Sequence, residues 1–362
     1  MKISVALATY NGAEFIAEQL ESVNAQTRPP DELIVVDDGS TDNTLEIIAE
    51  FATRARFPVG VHRNEHNLGY TTSFLSAASL CNGEWIAFCD QDDVWLPEKL
   101  ATVERDAHRR NVVLIAHSAE LVSDVLDSTG VFYPSFRWSR VHRGWQLPTW
   151  WIVEGFALAF RADLLQHLVA HVQVQGGGNL FMVREGGHDA VISRLARTLG
   201  HIVTLSECLA LHRCHGASLT TTYMRGKARD IQRSRKVASR IKRVLSIDGA
   251  ELFARQSRHS LQQAEIFGRS ARNQEEPVLK RRLTRAEAHY AAYSRWAAER
   301  AGLYQEAEVR RRIRRLWHLV WTLGYVRFNG CSMIGLRSCV KDIVLDVLVA
   351  AFGAESMHST VS

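Results

Sequence analysis

Glu84-Trp85-Ile86-Ala87-Phe88-Cys89-Asp90-Gln91-Asp92-Asp93 runs an apolar stretch directly into three carboxylates within four positions. Such a segment reads as a buried β-strand that ends in clustered acids. Carboxylates this close raise one another's pKa unless a cation or donor groups compensate, so something positive is expected beside them. Hard ions such as Mg²⁺ and Mn²⁺ prefer oxygen ligands, and Mg²⁺ takes carboxylates together with phosphates. Alternatively, the acids form a solvated turn in which Asp92 or Asp93 caps a helix beginning near Leu96 and Pro97.

Upstream, short apolar runs alternate with amphipathic segments, the pattern of βαβ units around a mostly parallel sheet. Ile3 to Ala8 is expected as the first strand, Thr9-Tyr10-Asn11-Gly12 as a turn, and Ala13 to Ala25 as a helix. Leu33 to Val36 is a second strand closed by Asp37-Asp38-Gly39-Ser40. A helix follows from about Asp42 to Thr53, then a short strand at Val59-Gly60-Val61. After Asn67-Leu68-Gly69-Tyr70 another helix runs to about Cys81 and leads into the strand Trp85 to Cys89. Ligands of open α/β sheets collect beyond the carboxyl ends of the strands. Three loops should occupy that edge: Thr9 to Gly12, Asp37 to Ser40, and Asp90 to Asp93.

Past Pro97 the pattern loosens. A helix through Leu100 to Arg109 and a strand at Val112 to Ala116 are expected, and Tyr133 to Trp151 reads as loop. Gly155 to Phe160 is apolar enough for a strand, Ala162 to Val172 suits a helix, Gly176 to Gly178 is a break, and Asp189 to Leu199 is amphipathic. From about Tyr223 the composition is helical, so two parts are expected, 1–222 and 223–362. Their charges differ in sign: 17 Lys and Arg against 26 Asp and Glu up to Thr222, and 27 against 13 after it. The six cysteines have no CxxC pairs or regular spacing, which indicates neither a disulfide framework nor a zinc ribbon. Ile3 to Ala8 reads as too short for a signal peptide and lacks a cleavage region, and no stretch reaches the roughly 18 apolar residues of a membrane span, so neither a leader nor a span is expected. A cytoplasmic protein, or one held peripherally at the inner face of the membrane, is expected.

Two further clusters carry chemistry. Gly187-His188-Asp189 precedes a helix, whose free N–H groups and dipole favour the ionised carboxylate; Asp189 is either a general base or a plain N-cap. His212-Arg213-Cys214-His215 sets two imidazoles and a guanidinium within four residues, suited to phosphate oxygens and to a metal's shell, or else a mixed surface loop.

Taken in order, Thr9 to Gly12, Val36 to Asp42, Asn67 to Gly69, Asp90 to Asp93, Gly187 to Asp189 and His212 to His215 resemble the family 2 inverting glycosyltransferases of GT-A fold. The Asp90-Gln91-Asp92-Asp93-Val94-Trp95 form is most similar to rhamnosyltransferase-type members that build bacterial surface polysaccharides. This resemblance spans residues 1 to 222. It implies an α/β GT-A sheet flanked by helices, a dTDP-, UDP- or GDP-sugar donor, and a glycan or lipid-linked acceptor. It implies Thr9 and Tyr10 lining a nucleobase pocket, with Asn11 and Asn67 among the donor contacts and Asp38 accepting from a pyrimidine N3–H. Asp90 would approach the ribose, Asp92 would ligate Mg²⁺ or Mn²⁺, and His215 would add a metal or pyrophosphate contact. Asp189 would take the acceptor's proton. The chain departs from the pattern at Ala190-Val191, where relatives carry aromatic residues, which bears on acceptor packing.

Two other functions compete with this one. A sugar-phosphate nucleotidylyltransferase would show a Gly-rich, Arg-containing loop after the first strand, which Thr9 to Gly12 is not. A non-catalytic scaffold would keep the nucleotide pocket and bind partners through its basic helices. In the tail, Arg310 to Arg315 precedes apolar residues at helical spacing with Trp317, Trp321 and Tyr325 four apart. That stripe suits either an anionic membrane surface or a core-facing helix, and Met333 to Phe352 repeats the character. No nucleic-acid-binding module is visible, so no nucleic-acid partner is expected.

Overall fold

The computed structural model describes residues 1–147, 151–167, 187–215, 248–305, 311 and 314–315. The chain forms two compact units, 1–144 with 151–222 and 145–150 with 223–362, and each is described by itself.

Among its described residues the first unit holds a ten-stranded mixed sheet. β1 (Ile3–Thr9), β2 (Glu32–Asp37), β3 (Val59–Arg63) and β4 (Trp85–Asp90) are parallel neighbours in the order β3-β2-β1-β4. The apolar runs of β1, β2 and β4 are buried on both faces, as parallel strands covered by helices require, whereas β3 at the end of the strand order is half-buried to exposed. Helices α1 (Ile16–Asn24), α2 (Thr44–Ala52) and α3 (Tyr70–Leu80) form the crossovers, and Leu20, Ile48 and Leu75 point into the core at 0% exposure. Pairing of Thr9 with Asp37 and of Ala8 with Asp90 brings the three strand ends level. The turns that follow therefore share one edge, as expected.

Beyond β4 come β5 (Val94–Trp95), helix α4 (Lys99–Ala107), β6 (Val112–Val122), β7 (Ser128–Phe132), β8 (Arg140–Arg143), β9 (Leu158–Arg161), helix α5 (His188–Leu199) and β10 (His201–Arg213). The sheet continues β4-β9-β6-β10-β5, with β7 on β6 and β8 on β10. Antiparallel β9 sits between β4 and β6, whereas β6 and β10 are parallel.

Several sequence expectations change here. The stretch read as loop from Tyr133 contains β8, paired to the first residues of β10. Gly155 to Ala157 is a 3-10 turn, so that strand begins only at Leu158. The helix expected from Ala162 is a 3-10 segment to His167 as far as the described residues go. β6 runs on to Val122, well past Ala116. β10 itself was not anticipated. Its apolar run is interrupted by Ser206-Glu207-Cys208, where the pairing to β6 shifts register between Leu205 and Cys208, and a bulge of this kind breaks the alternation that marks a strand.

In the second unit, α6 (Asp248–Arg272) and α7 (Pro277–Gln305) form an antiparallel hairpin. Ser257 and Ser294 exchange hydroxyl-to-carbonyl hydrogen bonds of 2.9 and 2.8 Å, and Phe267 stacks on Tyr290 at 5.4 Å. The Arg300 guanidinium lies 4.3 Å from the Phe253 ring centroid. Among the described residues no helix is long and apolar enough to cross a membrane. The aromatic stripe after Arg315 and the segment Met333 to Phe352 lie outside the described residues.

Candidate functional site

Each landmark turn is tied to its neighbour by named hydrogen bonds. Asp37 caps its own turn through the Gly39 and Ser40 N–H groups at 3.2 and 3.0 Å, and Gly39 adopts φ +86°, a conformation glycine tolerates. The Ser40 hydroxyl also accepts the Asn11 N–H at 2.9 Å. Asn11, itself at φ 47°, accepts the Thr41 N–H through Oδ1 at 2.8 Å. Its side-chain oxygen thus serves loop closure.

Asp38 is 3% exposed. Its carboxylate accepts from Asn64 Nδ2, the Leu68 N–H and the Gly69 N–H, each at 2.8 Å. It thereby fastens the Asn67-Leu68-Gly69 turn to the sheet edge. Asn67 caps that turn through the Gly69 N–H at 3.1 Å. Thr9 is buried at 3% and Tyr10 is 45% exposed, so the first loop presents one polar group inside and one aromatic ring at the rim.

Gln91, the spacer of the acidic run, holds that first loop. Its Oε1 accepts the Thr9 hydroxyl at 2.6 Å and the Tyr10 N–H at 2.9 Å, and its Nε2 donates to the Tyr10 carbonyl at 3.2 Å. A Cβ on Gly12 would run into the Gln91 amide, which explains glycine there. Gln91→Leu leaves these groups without their partner, and chemical denaturation should show a loss of about 1–3 kcal/mol.

The acids divide into an inner and an outer pair. Asp93, at 0% exposure, accepts from His212 Nδ1 at 2.7 Å and from the Arg213 N–H at 3.1 Å. Asp92 meets His215 Nε2 at 2.8 Å, with side chains 15% and 13% exposed. The sequence proposed Asp92 and His215 together, and the structure places them in contact. Neither Asp92 nor Asp93 caps a helix: α4 starts at Lys99 with Glu98 before it and no side-chain cap.

The mixed-loop reading of residues 212–215 also fails, because His212 and Arg213 are strand-end residues at 1% and 2% exposure. Arg213 faces inward. Its Nε donates to the Asp92 carbonyl at 2.9 Å, its remaining nitrogens reach the Asp124 carbonyl and Glu18, and its guanidinium lies 4.7 Å from the Phe15 ring centroid. It shapes the acidic loop instead of standing free for a phosphate.

Electrostatics follow from this packing. Burial, then the charges of Asp93 and Asp92, hold the Asp90 carboxyl well above its ordinary range. Burial pulls His212 down, but the Asp93 carboxylate outweighs it and His212 stands at about 9. The hydrogen bond to Asp92 raises His215. Asp90 Oδ1, Asp93 Oδ2 and His212 Nε2 are buried with no hydrogen-bond partner among the described residues, and Asp90, Asp93 and His212 each offer a ligand atom within 4.8 Å of the others. Unsatisfied buried acceptors beside a second acid and imidazole are a donor set that suits a divalent cation.

Asp189 enters from α5. Gly187 precedes it in extended backbone, where a Cβ would stand 2.7 Å from Asp189 Oδ1 and 3.3 Å from the Tyr70 ring. Asp189 accepts the Ala190 N–H at 2.7 Å. The helix terminus was expected to favour its ionised form, yet burial outweighs that hydrogen bond and raises Asp189 from 3.8 to about 6, with Glu154 adding to the rise. The charge of Asp189 adds to the rise at Asp90. His188 is structural: its ring stacks on Phe74 at 4.0 Å, edge to Phe88 at 4.7 Å, and burial drives it to about 3.

Sequence reasoning missed the roles of Gln91 and the buried Lys99, read Asp93 only as one of the clustered acids or a helix cap, and read His212 and Arg213 as phosphate or metal contacts. The available signal was polarity inside an apolar context, at the ends of β4 and β10, but β10 had not been recognised.

Residues 4–169 match the model of Glycosyl transferase family 2. An uncharacterised glycosyltransferase of Nostoc sp. is 29% identical over 222 residues, covering 60% of this chain and 66% of its own length. The abequosyltransferase RfbV of Salmonella typhimurium is 35% identical over 106 residues, covering 29% of this chain and 32% of its own. The matches thus span less than two thirds of the length of these relatives. Among solved structures, S. aureus TarS 1-349 in complex with UDP-GlcNAc superposes with a TM-score of 0.51 at 17% identity over 95% of this chain and 92% of that one, a likeness of fold, the GT-A type. Over residues 4–169 the chain is thus similar to Glycosyl transferase family 2.

Proposed function

We propose that the protein transfers a sugar from a nucleotide-sugar donor to an acceptor hydroxyl, with inversion at the anomeric carbon. The observation that supports this reading is the acidic turn after β4, where Asp90, Asp93 and His212 cluster beside the Asp92–His215 pair, together with an Asp189 carboxyl raised by burial to about 6. A general base works best with a pKa near the operating pH, and this one is tuned upward by burial. In the reaction, the acceptor oxygen forms a bond to the anomeric carbon as its proton passes to Asp189. The glycosyl–phosphate bond breaks on the opposite face, and the nucleoside diphosphate leaves with the electron pair. Mg²⁺ or Mn²⁺, when bound, stabilises the charge on that leaving group, and Asp92 with His215 would hold it. Thr9, Tyr10 and Asp38 would border the base, Asn11 and Asn67 would shape the donor loops, and Asp90 would lie toward the ribose.

The donor is a dTDP-, UDP- or GDP-sugar, rhamnose among the candidates, and the acceptor a glycan or lipid-linked saccharide of bacterial surface polysaccharide synthesis. A lipid-linked acceptor accords with peripheral membrane attachment through the basic second unit, taken as 223–362. Deleting residues from 310 onward should then lower sedimentation with anionic liposomes; unchanged partition would assign the tail a packing role.

The test of the reaction is a panel of nucleotide sugars with Mn²⁺ or with chelator, followed by thermal shift and by release of nucleoside diphosphate. One donor should raise the melting temperature, since ligand binding to the native state stabilises it, and should turn over only with metal. A donor that binds without any turnover would identify a scaffold.

A further inference from the structure

Tyr70 opens α3 directly after the turn that Asp38 fastens, and it is 51% exposed. A lone surface tyrosine needs no explanation by itself. This one is held in place. Its ring meets that of His188 edge-on, with centroids 6.0 Å apart and planes at 78°, and the buried His188 is in turn stacked on Phe74. The imidazole thereby joins the first turn of α3 to the first turn of α5, the helix that carries Asp189.

Gly187 shows how near Tyr70 comes to that carboxylate. Its φ of −69° with ψ of −176° is extended backbone that any residue adopts, so conformation does not require glycine there. Space does. A Cβ at 187 would stand 2.7 Å from Asp189 Oδ1, 3.3 Å from Tyr70 Cε2 and 3.4 Å from the Tyr70 hydroxyl. The hydroxyl and Oδ1 are therefore no further apart than 2.7 and 3.4 Å laid end to end, close enough for one sugar residue to touch both. An exposed aromatic ring with a polar tip offers a saccharide an apolar face for its C–H groups and a partner for its hydroxyls. A base alone gives no hold on an acceptor, whose reacting oxygen has to be oriented as well.

We propose that Tyr70 is the platform of the acceptor site, taking the apolar face of the saccharide whose hydroxyl meets Asp189. That role rests on the reading of Asp189 as base given above.

Binding is followed on the full chain by saturation-transfer NMR with methyl glycosides of glucose, galactose, mannose, rhamnose and N-acetylglucosamine. Mg²⁺ and a mixture of UDP, dTDP and GDP fill the donor side. At least one glycoside should show saturation of its ring C–H protons on the wild type. Tyr70→Ala should weaken that glycoside by about tenfold, and Tyr70→Phe, which keeps the ring, by less. Nucleoside diphosphate affinity should be the same in all three proteins. In transfer to the glycoside that binds, the loss should lie in its KM and not in kcat. Should Tyr70→Ala not fold, Tyr70→Leu, which keeps an apolar contact for His188 without an aromatic face, takes its place. The proposal is overturned if no glycoside binds the wild type, or if binding is indifferent to loss of the ring. A fall in nucleoside diphosphate affinity would move Tyr70 to the donor side and overturn it too. Ring-dependent glycoside binding in a chain that turns over no donor removes the reaction and spares the platform; turnover with a glycoside KM indifferent to Tyr70 removes only the platform.

Discussion

Asp189→Asn should lower turnover by about 10²–10⁴-fold, the usual contribution of a positioned general base, with donor affinity unchanged in equilibrium binding. In the wild type, activity should fall as pH drops through about 6, where Asp189 takes up its proton. The same substitution should raise stability at pH 8. Asp189 binds its proton more tightly in the folded chain, at about 6 against 3.8. Its favourable contribution is therefore fully present below 3.8 and is lost as pH rises through about 6. Above that, the folded chain carries an ionised, mostly buried carboxylate that a neutral amide relieves, by roughly 1–3 kcal/mol. The plain N-cap reading of Asp189 does not hold, because Gly187 occupies the cap position and Asp189 lies within the first turn of α5; if its carboxylate only accepted the Ala190 N–H, Asn should replace it with little change in either quantity. Thermal unfolding at pH 5 and pH 8, set beside single-turnover rates, separates the two roles. A variant that is slower and more stable at pH 8 identifies the base; one that keeps its rate removes Asp189 from the chemistry.

Arg213→Met should destabilise the first unit by about 2–4 kcal/mol in denaturant unfolding. The guanidinium donates to the carbonyls of Asp92 and Asp124 and meets Glu18, all from a position 2% exposed. Glu18 is 57% exposed and regains water when the arginine goes, so most of the loss comes from the carbonyls and from the space left beside Phe15. Metal affinity should fall about tenfold as well, since the carbonyl that Arg213 holds belongs to Asp92 and supporting groups typically change affinity by that much. Arg213→Lys should recover little, because a point ammonium cannot span three acceptors as a planar fork does. Unaltered Mn²⁺ binding in a folded Arg213→Met would show that the Asp92 loop keeps its shape unaided.

The two predictions differ in how much the sequence alone disclosed. Asp189 was proposed from the sequence because a carboxylate directly before an amphipathic run has few roles open to it, and Asp92 because it lies just beyond an apolar strand that ends at Asp90. Arg213 was visible as a residue and misread as a ligand contact. A guanidinium beside two imidazoles reads as a phosphate site until the strand that turns it inward is known. The bulge at Leu205 to Cys208 concealed that strand, and with it went Asp93, whose partner His212 lies 119 positions away.

Local periodicity by itself determined β1, β2 and β4, the three crossover helices, and the placing of three polar turns on one sheet edge. These follow from short-range rules: apolar runs of strand length, apolar spacing of helix length, and turns rich in Gly, Asn and Asp. Only the tertiary structure decided that antiparallel β9 enters between β4 and β6, that β10 delivers His212 and Arg213 to the acidic loop, and that Lys99 lies buried against Trp95 and the Phe156 carbonyl. Each of these depends on pairing and burial between segments distant in the chain. The charge state of a carboxyl depends on how much water the fold removes from around it, and that quantity is set only when distant segments meet.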